Sequence, residues 1–447
     1  MSNVGSIFTG NVGASGLNRS GNVGRAFFDA YTYSLLFNSL LTGFTEILTT
    51  LGATYTRAGT KYNLQNGLYV AYGANAFGTN YDVSEATYGY YPETAATNII
   101  TYSSDLTNAV WTKGLTTPVT TSSDAPISGG TSYFAQTRLL NTLHSFYHST
   151  LVASGTLSTV SYIVKANGYR YVSIGRVTAA STVQTWVFDL VDGDIFQAPS
   201  SPDYTNGKIA PINDDNGDPT GWYRISVNVN STTAAVRQPR LFILSNTPTT
   251  PVTNDNSDFS ADGVGGVLYW NGQYETGGRA SSPIVTTSST VTRAADVLSV
   301  PRANLTEMLD SEYAFIVDHR SDITPTTTQH LVNLTDTITF GEFARLYRTA
   351  TLSHGQVNSS TFVQADITSA NVNASRSKIG LNAQLNNFIL AQDGAISGTD
   401  VSGTMPILPT ELQIGHVQSL SQLNGHIYSL IIKNTSQTET QLEAATA

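Results

Sequence analysis

"GVLYWNGQYETGGRASSPIVTTSSTVTRAADVLSV", residues 266–300, decides how this 447-residue chain is divided. It opens as a buried strand, Val267 to Trp270, dissolves into Gly, Ser and Thr, and ends on an arginine and a second apolar strand. Trp270, Glu275, Arg279, Arg293 and Asp296 flank the polar run, so it reads either as an active-site loop or as a joint between two domains. The run 277–290 has too little apolar surface to be core, which favours an extended crossing. "TRA" at 292–294 echoes "TRA" at 56–58, and the echo predicts that the two segments lie side by side with a domain inserted between them.

A chain of this length exceeds one ordinary core. Charged residues make up only 12%, about half the usual share, and Thr, Ser, Asn and Gly take their place. Aromatics reach 10%, with 23 Tyr, which excludes a disordered chain. Thr, Val, Ile and Tyr punctuated by Gly, Asn and Pro favour antiparallel β-sandwiches. The net charge of −10 argues against a nucleic-acid partner, whose phosphates it would repel. The absence of cysteine removes disulfides and thiolate chemistry. The start of the chain lacks a secretory pattern, and the most apolar window, 33–48, is too short and polar for membrane insertion. A soluble protein made in a cytoplasm is expected.

Residues 1–30 repeat Asn-Val-Gly and read as an arm that orders against a partner. Leu36, Leu40, Phe44, Ile47 and Leu48 recur at helical spacing and predict an amphipathic helix over 31–50. From residue 51 short strands alternate with turns. Asn167-Gly168 and Asp192-Gly193 read as hairpin turns, and Trp186, Phe188 and Leu190 share one strand face. A second strand series follows Pro301, and Ser436 with Glu439 predicts a capping box for a terminal helix that buries Leu442.

Three stretches together resemble a known family: "ETAATNIITYSSDLTNAVWTKG" (93–114), "YIVKANGYRYVSI…VFDLVDGDI…GWYRISV", and the stretch 266–300 itself. They are similar to bacteriophage tail fibre and head spike proteins that carry a carbohydrate-binding-module-like jelly roll followed by a laminin-G/concanavalin-A-like lectin domain. "LQIGH…LNGHIYSLIIKNTSQTETQLEA" resembles the ending of laminin-G-like modules. The likeness covers roughly residues 52–447 and leaves the first 50 outside it. It implies a mainly β protein of two antiparallel β-sandwiches with a short N-terminal arm and helix. The expected divisions are 1–50 virion-attachment arm and helix, 51–95 short strand unit, 96–280 jelly roll, 281–295 extended crossing, and 296–447 laminin-G-like sandwich. The implied role is a virion structural protein, not an enzyme, that adheres to host-surface glycan. Other virion proteins would dock through residues 1–50 and copies would associate, a trimer being the first expectation. A polysaccharide-degrading spike and an architectural subunit without ligand are the alternatives.

Candidate sites follow from the residues and the resemblance. The acidic run "NDDNGD" (213–218) reads as a solvated turn, since placing Gly217 at the sixth EF-hand position puts Ile212 at the first. His144 and His148 share a helical metal-pair spacing, but their place in the resemblance makes them strand residues. Trp111, Trp222 and Trp270 read as core. Tyr169 and Tyr171, on one strand face after a turn, suit a sugar-stacking platform, with Tyr274 on the rim. The resemblance implies a structural Ca2+ held by Asp105 and Glu275, near the start and the closing strand of the jelly roll.

Overall fold

The computed structural model describes residues 32–37, 49, 51–114, 118–149, 156–175, 186–199, 204–230, 240–248, 252, 258–306, 308, 310–322, 327–339, 341–371 and 375–447. The chain is mainly β and forms two units. The carboxyl-terminal unit takes the chain up to Ala58, Ala74–Thr94 and Ala294–Ala447; the central unit takes Gly59–Gly73 and Ala95–Arg293. The expected arm at 1–30 lies outside the described residues, as does most of the predicted helix.

The described start of that helix is a strand. Thr32–Leu36 pairs antiparallel with Gly425–Lys433. Tyr33, Leu35 and Phe37 are all buried. The same window thus carries a period-2 pattern, and pairing with a sheet edge decides between it and the 3.6-residue stripe.

In the carboxyl-terminal unit two sheets enclose one core. The first runs Thr32–Leu36, Gly425–Lys433, Glu312–Ser321, Arg376–Gln384, Asn387–Gln392, Ala395–Asp400. The second runs Thr54–Thr56, Val297–Pro301, Glu411–Ile414, Gln329–Thr335, Phe343–Arg348, Leu352–Ser359, Phe362–Ala370. Phe315, Val317, Leu381 and Leu390 from one meet Leu334, Leu346, Val357 and Ile414 from the other. The terminal helix, Glu439–Thr446, lays Leu442 against Ala314, Ile316 and Ile389 on the outer side of the first sheet. Its capping box is Thr438 with Gln441, two residues beyond the expected Ser436. No helix among the described residues is long and apolar enough to cross a membrane.

The echo of "TRA" is realised inside this unit. Thr54–Thr56 pairs with Val297–Pro301, and the Ala294 N–H donates to the Ala58 carbonyl at 2.9 Å.

The central unit is a second sandwich. One sheet runs Tyr204–Asn213, Pro219–Asn230, Leu157–Asn167, Gly266–Thr276, Ser132–Gln136, Val119–Ser122. The other runs Asp194–Gln197, Trp186–Asp189, Tyr171–Gly175, Arg240–Ile243, His144–His148, Trp111–Lys113. Phe146, Tyr162, Phe188, Ile225, Tyr269 and Tyr274 fill the space between them. Asp192-Gly193 is a hairpin turn as expected, with Asp189 opposite Asp194. Asn167-Gly168 is not: Leu157–Asn167 and Tyr171–Gly175 belong to different sheets. Gly168, at φ 104°, makes a corner that passes against Gly265.

The run 277–290 lies within this unit, and its middle, 281–286, is largely buried and held by polar contacts, while 287–290 are exposed. Asn98 Nδ2 donates to the Ile284 carbonyl at 2.8 Å, and the Thr286 N–H donates to Ser103 Oγ at 2.9 Å. The hairpin Lys61–Gln65/Leu68–Tyr72 sets Tyr69 parallel to Trp270 at 5.4 Å and Tyr62 edge-on to it at 5.7 Å. Trp270 is therefore buried beneath a hairpin and not between the sheets.

Gly266 tests this packing. A Cβ there would lie 2.1 Å from the Ala135 carbonyl oxygen across the strand pair. Gly266→Ala is expected to destabilise the central unit by about 1–3 kcal/mol, the usual cost of overpacking. Calorimetry should show that unit melting several degrees lower while the other transition stays in place.

Candidate ligand-binding face

Strand alternation builds a polar and aromatic face on the seven-stranded sheet of the carboxyl-terminal unit. In "FARLYR", Ala344 and Leu346 enter the core, so Phe343, Arg345 and Tyr347 point to the other side. Register aligns residues from all seven strands in one row: Asp366, Gln356, Arg345, Asn333, Gln413, Ser299 and Thr54. Every member is polar.

The row is tied together. Arg345 Nε and Nη2 donate to Gln356 Oε1 at 3.0 and 2.5 Å, and Gln356 Nε2 donates to Asp366 Oδ2 at 3.3 Å. Asn333 Nδ2 donates to Gln413 Oε1 at 3.0 Å. Beside the row, Tyr347 lies between His354, at 4.5 Å and 9°, and His330, at 5.4 Å and 25°. His354 Nδ1 is 2.9 Å from Asp366 Oδ1. The Arg345 guanidinium covers the Phe343 ring at 4.0 Å and the Tyr347 ring at 4.8 Å.

Burial sets the charges. His330 is lowered to about 3 by burial and by the Arg345 cation, with His416 adding to it, so it is neutral at pH 7. Burial also pulls Arg345 below its usual value and pushes the Tyr347 hydroxyl above its own. Three buried polar atoms on this face have no hydrogen-bond partner: Asn333 Oδ1, Asn358 Oδ1 and His330 Nδ1. Amides, a guanidinium and a carboxylate held in one cross-strand row suit the recognition of a polyhydroxylated ligand.

The residues proposed from sequence lie elsewhere, in the central unit. Tyr169 is buried in the sandwich core, 5.1 Å from Phe259, and its hydroxyl accepts from the Asp262 N–H at 3.0 Å. Tyr171 belongs to a separate cluster with Val187 and Phe242 and lies tilted against Phe196 at 4.7 Å. The two tyrosines form no platform. Tyr274, at 1% exposure, is core and not rim.

Glu275 is also buried. Its carboxylate accepts from Gln273 Nε2 at 2.7 Å, the Ser281 N–H at 2.9 Å and Ser281 Oγ at 2.7 Å, and burial raises its pKa. Asp105 accepts from the Thr107 N–H at 3.0 Å and sits by Tyr133, opposite Tyr269. Glu275 is six residues further along that strand, roughly 20 Å away. The structure does not bring the two together, and the described residues contain no cluster of three His, Asp or Glu placed to hold a metal.

His144 and His148 face the core of the central sandwich, against Phe259 at 5.0 Å and Thr101 Oγ1 at 3.1 Å. The "NDDNGD" turn folds on Asp214, whose Oδ1 accepts from the Asn216 and Asp218 N–H groups.

The face on the seven-stranded sheet was missed, although a signal for it exists. In "FARLYR" an aromatic, an arginine and an aromatic alternate with small and apolar residues.

No protein-family model and no curated protein matches the chain. Among solved structures it is similar to the CBM40 of Ruminococcus gnavus IT-sialidase bound to α2,3-sialyllactose, at 14% identity and TM-score 0.29, over 32% of this chain and 86% of that one. It is similar to the NanB sialidase of Streptococcus pneumoniae at 10% identity and TM-score 0.29, over 33% and 26%. A third is domain 4 of the arabinanase AbnA from Geobacillus stearothermophilus, at 9% and 0.29, over 38% and 82%.

Proposed function

We propose that the protein is a non-enzymatic glycan-binding subunit of a bacteriophage particle, and that the outer face of its seven-stranded sheet holds the sugar. The observation that carries the binding role is the aligned face itself: Arg345, Gln356, Asn333 and Asp366 in one cross-strand row, with Tyr347 and two imidazoles beside it. Guanidinium, amide and carboxylate side chains in one row reach successive hydroxyls of a sugar. The virion setting rests on the sequence resemblance, with residues 1–50 as the part that docks. Each face would bind weakly, and many copies on one particle would supply avidity.

The test is a glycan array followed by titration of the best hit. Arg345→Ala and Asp366→Ala are each expected to weaken binding about tenfold or more, equivalent to about 1.4 kcal/mol. Asp366 is exposed, so its variant should keep the parent melting temperature. Tyr171→Ala, in the central unit, should bind normally. Unchanged titrations for both face variants would remove the site, and an array without hits would favour an architectural subunit. Shortened chains after incubation with host polysaccharide would favour an enzyme.

A further inference from the structure

One end of the carboxyl-terminal sandwich carries an apolar surface that glycan binding does not use. Four connections meet there: 336–342, 360–361, 385–386 and 401–410. Thr335 pairs with both Phe343 and Glu411, Ser359 pairs with Phe362, and Phe388 pairs with Asp400, which places all four connections at the same end.

They are laced into one piece. The Glu342 carboxylate accepts the Ser360 N–H at 2.5 Å and the Ile407 N–H at 2.7 Å. Gln364 Oε1 accepts from the Thr404 N–H, and Asn386 and Gly403 exchange bonds. Ile338 (81%), Val401 (76%), Leu408 (71%), Phe362 (70%), Ile407 (60%), Leu385 (57%) and Val363 (57%) are exposed on this framework. They are seven of the sixteen exposed large hydrophobics among the described residues, so the exposure is concentrated rather than scattered.

Leu408 is held at φ 55°, a left-handed conformation that a leucine rarely adopts. The loop therefore presents an apolar side chain where an Asn, Asp or Gly would be less strained.

We infer that this end is an interface between two copies of the protein. The size and the apolar composition of the patch select that occupant. At roughly 150–200 Å² per side chain the exposed fractions come to about 700–950 Å², which brackets the ~800 Å² per partner of a standard interface. The segments 336–342, 359–364, 385–386 and 400–410 contain no Lys or Arg. Their acids are committed: Asp336 accepts from the Ile338 and Thr339 N–H groups, Asp400 from that of Ser402, and Glu342 as above. A wholly apolar centre is the composition of interfaces between identical subunits, and a patch of this kind complements itself about a two-fold axis.

The test is sedimentation equilibrium on the full chain. The parent is expected to self-associate, and Phe362→Asp with Leu408→Asp to weaken association by about a hundredfold or more. Aspartate tolerates the left-handed backbone, so the double variant should keep its circular dichroism and melting temperature. Leu139→Asp with Val264→Asp, equally exposed apolar positions of the central unit, should leave association unchanged. A parent that stays monomeric at about 50 μM, or a double variant that keeps the parent's association constant, overturns the inference.

Discussion

Lowering the pH from 7 to 4 is expected to unfold the carboxyl-terminal unit before the central one. Three of its imidazoles are buried without an anionic hydrogen-bond partner. His319, beside Arg348, is lowered to about 3 by burial and that cation. His330, facing Arg345 and His416, is lowered to about 3. His416 is lowered to about 4 by burial, although its Nε2 lies 3.0 Å from the Leu298 carbonyl oxygen and Asp296 pulls the other way. Folded, each takes a proton only near pH 3–4; unfolded, each takes one near 6.5. Between those values the unfolded chain binds the extra protons, so stability falls with pH and levels off only below the folded values.

The slope is about 1.4 kcal/mol per pH unit for each group, or roughly 4 for the three, against a total stability of the order of 5–15 kcal/mol. The central unit has His144 and His148, both lowered by burial, but Glu275 acts in the opposite sense. Its raised pKa means that acid relieves a buried charge.

The four tryptophans, at 111, 186, 222 and 270, all belong to the central unit. Far-ultraviolet circular dichroism should therefore fall at a higher pH than tryptophan emission changes. His319→Gln should move the circular-dichroism midpoint to lower pH. Coincident transitions, or a midpoint indifferent to His319, would remove this account.

The sequence pattern discloses strands and their two faces, but it does not say which sheet a strand joins. Trp186, Phe188 and Leu190 share the core-facing side of their strand as expected, Trp186 partly buried, because period 2 is a local property. Asn167-Gly168 permits a tight reversal, but the same two residues serve a corner between sheets, and only the partners of the flanking strands decide.

Which face is covered is equally non-local. Tyr274 faces inward and Glu275 outward, yet both are buried, because the 277–290 segment closes over the outer side. Trp270 is covered by a hairpin about 200 positions earlier in the chain. The face with Arg345 and Tyr347 shows in its alternation. Its meaning depends on Asn333, Gln356 and Gln413, which register alone aligns with it.

Asp296→Ala is expected to cost the carboxyl-terminal unit about 3–5 kcal/mol, the range for removing one partner of a buried ion pair. Asp296 has no exposed surface and Arg57 2%. Asp296 Oδ1 accepts from Tyr55 Oη at 2.5 Å and lies 3.4 Å from Arg57 Nη1, and its Oδ2 accepts from the Glu93 N–H at 2.9 Å. One carboxylate thus ties the strand before the inserted segments, the strand after them, and the segment at 93. Without it the buried Arg57 cation and Tyr55 hydroxyl lose the Asp296 carboxylate, and that loss dominates.

At about 2–4 °C per kcal/mol for a unit of this size, the transition should fall by roughly 10 °C. The central-unit transition, followed by tryptophan emission, should not move. Arg57→Met combined with Asp296→Leu should recover part of the loss, because it removes the buried cation along with the carboxylate. A single variant melting within 2–3 °C of the parent would show that the pair is dispensable. The expected result makes the end of the 266–300 stretch a structural clasp, in which the acid–base residues Arg57 and Asp296 hold together positions 239 apart in sequence.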